Sequence, residues 1–390
     1  MINYYAALSI HADLSTSDYS QILSIEEQKW RLSLESPDPR QRVEAQEKLE
    51  LIRQARRVLL DDAMRSEYDF HLIAYNRFTA GQGSLNTCMI AEIKGHRDSV
   101  LCAAFSPNGD TLASGSADKT IRVWRTEDGS LTRTITTPEP VYAIAFSPDG
   151  EFLAAGLKSR TIQFWRVADG ALDRTLTPPP APTQGWFAKA MASYSPESNY
   201  DILFTSDGRY LLSMSLTCRP ILWDVVTGSI FREFDEQTSG PMALSNGILA
   251  TVRNRSISFW RVSDGMKLGE TKEGDDFAYC VAPHPSGEFW ATGWSDGSVA
   301  FQALPDLEPR WLGARHDSAV RRVLFEPLGI ALLTVDGNGK MAAWRVSDLE
   351  ATGVSDAHRL AVSTLTLSPK GTTVATAGYD NTIKVFGLVY

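Results

Sequence analysis

Six histidines, His11, His71, His96, His284, His316 and His358, are the side chains of this 390-residue chain best suited to proton transfer near neutral pH. Hydrolytic chemistry needs a nucleophile, a base and an orienting carboxylate brought together, and no spacing announces such a set. Neither His-Glu-x-x-His nor the phosphate-cradling Gly-x-x-x-x-Gly-Lys-Ser/Thr occurs. The stretch GNGK, Gly337 to Lys340, has the composition of a phosphate loop but falls between two strand-like runs, where turn chemistry accounts for it. His96, His316 and His358 each belong to a repeated pattern, whereas His11, His71 and His284 are scattered. Aspartates sit mostly in turns, where bonding to the local backbone explains them. The four cysteines, Cys88, Cys102, Cys218 and Cys280, lie far apart with no Cys-x-x-Cys pair, so neither a zinc knuckle nor a disulfide frame is expected. The expectation is a protein without catalytic residues, metal or cofactor.

Composition narrows the class. Hydrophobic residues make up 43% of the chain and the net charge is -9, values of a folded globular protein. An acidic balance argues against binding the phosphate backbone of nucleic acid, which needs clustered Lys and Arg. The first twenty residues lack a basic start and a long apolar run, and no stretch reaches the roughly 20 apolar residues of a membrane span. A reduced, cytoplasmic protein is therefore expected, without membrane insertion.

The elements that carry the histidines repeat. Turn signals FSPNG, FSPDG, FTSDG, HPSG, FEPLG and LSPKG alternate with strand ends at Trp124, Trp165, Trp223, Trp260, Gln302, Trp344 and Phe386. The strand ends are separated by 41, 58, 37, 42, 42 and 42 residues, so six intervals imply seven units, one carrying an insertion. Each unit reads as four short strands: in the first, SVLCAAF is nearly all apolar, a Pro-Asn-Gly turn leads to TLASGS, and a turn at Asp118 leads to TIRVW before an Asp-Gly turn. A mainly β, seven-bladed propeller over residues 86–390 is the expected fold. The chain ends one strand short of a last blade, and residues 86–94, NTCMIAEIK, are available upstream to complete it and remove an open edge.

From about Leu85 to Tyr390 the chain resembles the WD-repeat family. The first unit has that family's hydrogen-bonded set: Gly95-His96, Ser114, Asp118 and Trp124. A His between a hydroxyl and a carboxylate satisfies both ring nitrogens, and the hydroxyl in turn accepts from the buried indole. His316, Thr334 and Trp344 repeat the pattern in unit six with Asn338 at the Asp position. Unit seven has His358, Thr376 and Asp380, with Phe386 for Trp. Units two to five depart further, with Ser159, Thr217 and Asn254 in the turn position and Gln302 for a Trp. Because an unpaired buried partner costs about 1–3 kcal/mol, degenerate units are expected to lose the set together.

Residues 1–78 differ. Helical patterns run over Ser17–Ser33 and Arg40–Leu60, with a shorter piece at 63–72; Val43, Leu49, Ile52, Ala55 and Leu59 form an apolar stripe on the second. NYYAALSI and EAQEKLELIRQARRVLLDDAMRSEYD resemble the opening and third helix of DnaJ-type J-domains. The family's His-Pro-Asp loop, which engages the chaperone ATPase, is here Ser36-Pro37-Asp38, and Glu26 and Glu27 interrupt the basic preceding helix. The resemblance implies a degenerate J-like module. Residues 79–85, with Gly81 and Gly83, form the join.

Surface for partners remains. In a WD-type ring the narrow face is built by the entrances to the first strands and the second connections, which assigns to it Tyr142, Lys158, Arg253, Tyr279, Trp294, Arg321 and Tyr379. The insertion at 177–200 adds a proline-stiffened arm carrying Trp186 and Phe187. Tyr, Trp and Arg dominate interface hot spots, so these residues are candidates for contacting a protein partner. The leading expectation is a nonenzymatic scaffold or adaptor. A co-chaperone-like adaptor delivering clients to a DnaK-type chaperone is the alternative, and an enzyme using the propeller funnel is third.

Overall fold

The computed structural model describes Tyr4, Leu8 and residues 15–34, 36, 39–62, 65, 85–179, 201–215, 218–238, 240–271, 275–304, 307, 310–311, 315–347 and 350–389. They fall into two units, Met1–Gly83 and Ser84–Tyr390. Most of the expected linker, the third helical piece, and Trp186 and Phe187 lie outside the described residues.

The first unit is a helix pair, α1 (Thr16–Ser33) and α2 (Pro39–Leu59). Ser15 starts α1 through a capping box: its Oγ accepts from the Asp18 amide while the Asp18 carboxylate accepts from the Ser15 amide. Proline opens α2, where its missing N–H costs no helical bond. Tyr19 and Leu23 from α1 bury against Ile52, Ala55 and Leu59 from α2, together with Leu8. Each such large apolar side chain contributes about 1.5–3 kcal/mol. Glu27 ties the pair at the surface, accepting from Arg31 on its own helix at 2.6 Å and Arg56 across at 2.8 Å.

The second unit is a ring of seven four-stranded antiparallel sheets, each occupying one blade. Blades 1 to 6 span residues 100–136, 141–176, 201–233, 242–270, 278–311 and 320–356. Blade 7 takes three strands from 362–389 and its outermost from Asn86–Lys94, which runs antiparallel to Thr382–Val389 with Lys94 opposite Thr382. The two chain ends of the ring are thus held by one ladder.

Apolar clusters lie between successive blades. Trp124, Leu112 and Phe105 of blade 1 pack with Ile93, Ile383 and Val385 of blade 7, and Ile121, Ala113 and Cys102 with Val141, Ile144 and Leu153 of blade 2. Because both faces of every sheet are covered, the strands read as apolar runs instead of strict alternations.

Two irregularities recur. An extra residue interrupts the innermost pairing at Leu101, Tyr142, Tyr279, Arg321 and Ser363. A second bulge in the outermost strand falls on Thr132, Asp173, Phe231, Leu268 and Thr352.

Blade 4 has no Pro-x-Gly signal because its first hairpin is tighter. Ser245 pairs with Ile248 across Asn246-Gly247, which have φ of 49° and 72°, as a two-residue type I′ turn requires. The Gly337-Asn338-Gly339 stretch likewise turns between two strands of blade 6. A Cβ on Gly339 would lie 2.2 Å from the His358 carbonyl oxygen.

Candidate functional site

The buried polar relays come first, because they account for half of the histidines. In blade 1, Ser114 Oγ accepts from Trp124 Nε1 at 2.8 Å and lies 2.7 Å from His96 Nε2. His96 Nδ1 is 2.9 Å from Asp118 Oδ2. A neutral imidazole with its proton on Nδ1 satisfies every member, a tautomer assigned from this network. Burial lowers the His96 pKa, against the opposing pull of Asp118. Burial would raise the Asp118 carboxyl, but the Thr120 hydroxyl, the Arg97 amide and His96 outweigh it and hold its pKa at about 2.

Blade 7 repeats the relay through His358, 2.9 Å from Thr376 Oγ1 and 3.0 Å from Asp380 Oδ1, with buried Phe386 in the indole's place. In blade 6, Thr334 Oγ1 accepts from Trp344 Nε1 at 2.7 Å and is 2.7 Å from His316 Nε2. The carboxylate there belongs to Asp336, 3.3 Å from His316 Nδ1 and fully buried, at the end of the second strand.

The degenerate blades do not lose the set as a unit. Trp223 still donates to Ser213 at 2.8 Å and Trp260 to Thr251 at 3.2 Å, with no histidine in either relay. Blade 2 has Ala155 where blade 1 has Ser114, and the buried Trp165 Nε1 has no partner. Ser159, in the turn position of blade 2, donates its backbone N–H to Glu139 at 2.7 Å.

The inner strands surround an axial channel of about 520 Å³ whose lining includes Tyr142, Asp201 and Arg322. Asp201 Oδ2 accepts from the Met242 amide at 3.2 Å and Oδ1 from the Ile202 amide at 3.1 Å. Burial pushes its carboxyl up to about 6, with Arg322 and the two amides pulling the other way. Burial likewise raises the Cys280 thiol to about 12 and Cys102 higher still, so neither forms a thiolate at neutral pH.

Of the residues expected on the narrow face, Arg321 and Tyr279 come together, the guanidinium 4.9 Å from the ring centroid. Beside them Arg255 lies 5.2 Å from the ring of Phe277, which is 47% exposed; sequence reading missed this pair. Tyr142 and Tyr379 are half-buried and Lys158 is exposed. Arg253 is exposed and engages Glu236 at 2.8 Å. Trp294 must be corrected: it is 3% exposed and donates its indole N–H to Thr292 Oγ1 at 3.0 Å, so it offers no surface to a partner. No group of three or more His, Cys, Asp and Glu side chains able to hold a metal occurs among the described residues. No described helix is long and apolar enough to cross a membrane.

The family model described as "WD domain, G-beta repeat" matches residues 87–125, 129–166 and 350–387. The chain is 28% identical over 317 residues to nuclear distribution protein nudF of Emericella nidulans, covering 71% of this chain and 66% of that protein. It is 26% identical over 281 residues to nudF of Aspergillus niger, covering 65% and 60%. The chain thus spans under two thirds of the length of these relatives. A shorter match, 41% over 61 residues, covers 15% of this chain and 9% of the probable E3 ubiquitin ligase complex SCF subunit sconB of Penicillium rubens. With seven sheets closed into a circle and hydroxyl–imidazole–carboxylate relays in three of them, the second unit is a seven-bladed propeller carrying WD40 repeats.

Proposed function

We propose that this chain is a nonenzymatic, cytoplasmic interaction scaffold whose narrow face and helical head each bind a protein partner. Relatives of the WD40 kind support a protein-interaction role, sconB being by its description a subunit of a complex. The observation that carries the reading is the pairing of guanidinium and ring at Arg321–Tyr279 and Arg255–Phe277, because such pairs offer large, weakly hydrated area with few rotors to immobilise. In the relays His96, His316 and His358 are committed to holding blades together, which leaves them to structure instead of catalysis. The test is quantitative co-purification from the native host: a partner retained by the wild-type chain and lost from the Tyr279→Ala/Arg321→Ala variant supports the reading, and undiminished capture overturns it.

A co-chaperone-like role is the second reading, favoured by the antiparallel pairing of α1 and α2 beneath the J-domain-like sequence of residues 1–78. Ser36 in place of the motif's histidine argues for a contact that no longer drives ATP hydrolysis. Acceleration of ATP turnover by the host's DnaK-type chaperone on adding the full chain would make this the better reading.

A further inference from the structure

The repeat supplies its own internal comparison, and one corner of the ring departs from it three times. Arg209, next to the start of the second strand in blade 3, stands where blades 1, 2 and 5 have Asp110, Glu151 and Glu288. Val226, in the turn before the outermost strand, stands where blades 1, 2 and 4 have Glu127, Ala168 and Ser263. Phe231 occupies the outer-strand bulge that holds Thr132, Asp173 and Thr352 in blades 1, 2 and 6. Relative to blade 1, an acid has become a cation, and Glu127 and Thr132 have given way to apolar residues.

The three changes converge. The Phe231 and Tyr210 rings have centroids 4.7 Å apart, with Arg209 5.1 Å from the Tyr210 centroid and Arg232 5.7 Å from that of Phe231. Val226 is 81% exposed and Phe231 48%. The corner is rigid. Arg174 of blade 2 donates to the Val225 carbonyl at 2.5 Å, Thr227 caps Asp224, and Arg232 donates to the carbonyls of Ser263 and Asp264 in blade 4. A preorganised aromatic and aliphatic surface loses little conformational entropy on binding.

Charge selects the occupant. Arg232 spends its donors on backbone carbonyls. Arg209 is exposed and has no carboxylate within 4.0 Å among the described residues. The nearby carboxylates are engaged, Asp207 by the Thr205 hydroxyl and Arg209 amide and Asp224 by Thr227. The corner therefore combines apolar area with an exposed guanidinium that lies over Tyr210 and makes no ion pair among the described residues, its charge partly offset by Asp207 and Asp224, each already hydrogen-bonded.

We propose that this outer corner of blade 3 is a docking site for an acidic segment of a partner protein, which seats an apolar side chain against Val226 and Phe231 and a carboxylate against Arg209. The site is separate from the narrow face and stands whether or not that face binds a partner.

The test uses the full chain and two fluorescein-labelled peptides, one with Phe and Leu flanked by glutamates and one with glutamines in their place. The expected result is binding of the acidic peptide on the order of tenfold tighter than its glutamine counterpart. Phe231→Thr and Val226→Ala, which copy residues tolerated in blades 1 and 2, should weaken both peptides. Arg209→Glu, which copies blade 2, should weaken only the acidic one. Unchanged melting curves would establish that the variants fold. Three outcomes overturn the proposal: wild-type chain that binds neither peptide, affinity indifferent to all three substitutions, or a concentration-dependent dimer dissolved by Phe231→Thr, which would make the occupant a second copy.

Discussion

Trp294 Nε1 donates to Thr292 Oγ1 two residues earlier on the same strand, and the pair restores in blade 5 an indole–hydroxyl bond that blades 1, 3, 4 and 6 make across two strands. The usual position is held by Gln302, so the ring reaches the blade 4–5 cluster from the neighbouring strand, against Phe259, Val252 and Ala278. Trp294→Ala is expected to destabilise the chain by about 3–5 kcal/mol through loss of packing. Trp294→Phe should cost only about 1 kcal/mol, the lost hydrogen bond. Urea unfolding distinguishes the two; a Trp294→Ala variant as stable as the wild type would return this residue to the surface.

Ring closure concentrates stability in nine residues. The strand Asn86–Lys94 buries Ile93 and pairs through Lys94, so its removal exposes both the blade 7 ladder and the cluster around Trp124. Removing residues 1–84 is expected to leave the melting temperature of the ring within a few degrees. Removing residues 1–95 should lower it by more than about 10 °C, since a loss of several kcal/mol moves a large domain by that much. Equal melts for the two truncations would refute closure as a source of stability.

Blade 2 leaves an indole N–H unpaired, and the remedy is written in its neighbours. Ala155 is fully buried at the position of Ser114, where a hydroxyl would face Trp165 Nε1. Ala155→Ser is expected to stabilise the chain by about 1 kcal/mol, because the new hydroxyl satisfies an orphaned donor while itself donating to a strand carbonyl. Calorimetry should then show a melt higher by about 2–4 °C. A lower melt would mean that blade 2 has closed over the space the hydroxyl needs.

The period of the ring and its turns are legible in the chain because each blade spends its Gly, Asp and Trp at fixed offsets. Less legible are the substitutes. Asp336 supplies the carboxylate missing at Asn338 and Trp294 the indole missing at Gln302, and both stand two residues beyond the relay hydroxyl, at Thr334 and Thr292. In blade 1 that place is held by Ser116, also buried, so side chains there point into the same polar seam. A scan of the second position after each Ser or Thr relay would have found them; a scan of the consensus positions counts them as turn and surface. The outer corner of blade 3 escaped for a different reason. Arg209, Val226 and Phe231 are unremarkable singly, and only the pairing of strands brings them together.

Asp201 gives the ring a pH response opposite to that of its histidines. Its carboxyl is raised to about 6 by burial, so the folded chain holds a proton that the unfolded chain has already released. The stability from this group is complete below about pH 4, the ordinary carboxyl value, and is lost as pH rises through about 6. His96, His316 and His358 are lowered by burial, so their contribution is present above about pH 6.5 and is lost as pH falls below it. The two effects overlap between pH 4 and 6.5 and mask one another in the wild type. Asp201→Asn separates them. The variant removes the charge and keeps one oxygen for the two amides that Asp201 serves, so at pH 7.5 it should be more stable than wild type by about 1 kcal/mol, the relief of the screened, half-buried charge less the hydrogen bond lost from Met242 or Ile202. The difference should shrink as pH falls through 6 and reverse near pH 4, leaving in the variant the unmasked acid-destabilising slope of the buried histidines. Paired urea titrations at pH 7.5, 6 and 4.5 read this directly, and an Asn variant less stable than wild type at pH 7.5 would show that Arg322 and the two amides outweigh the burial of the charge.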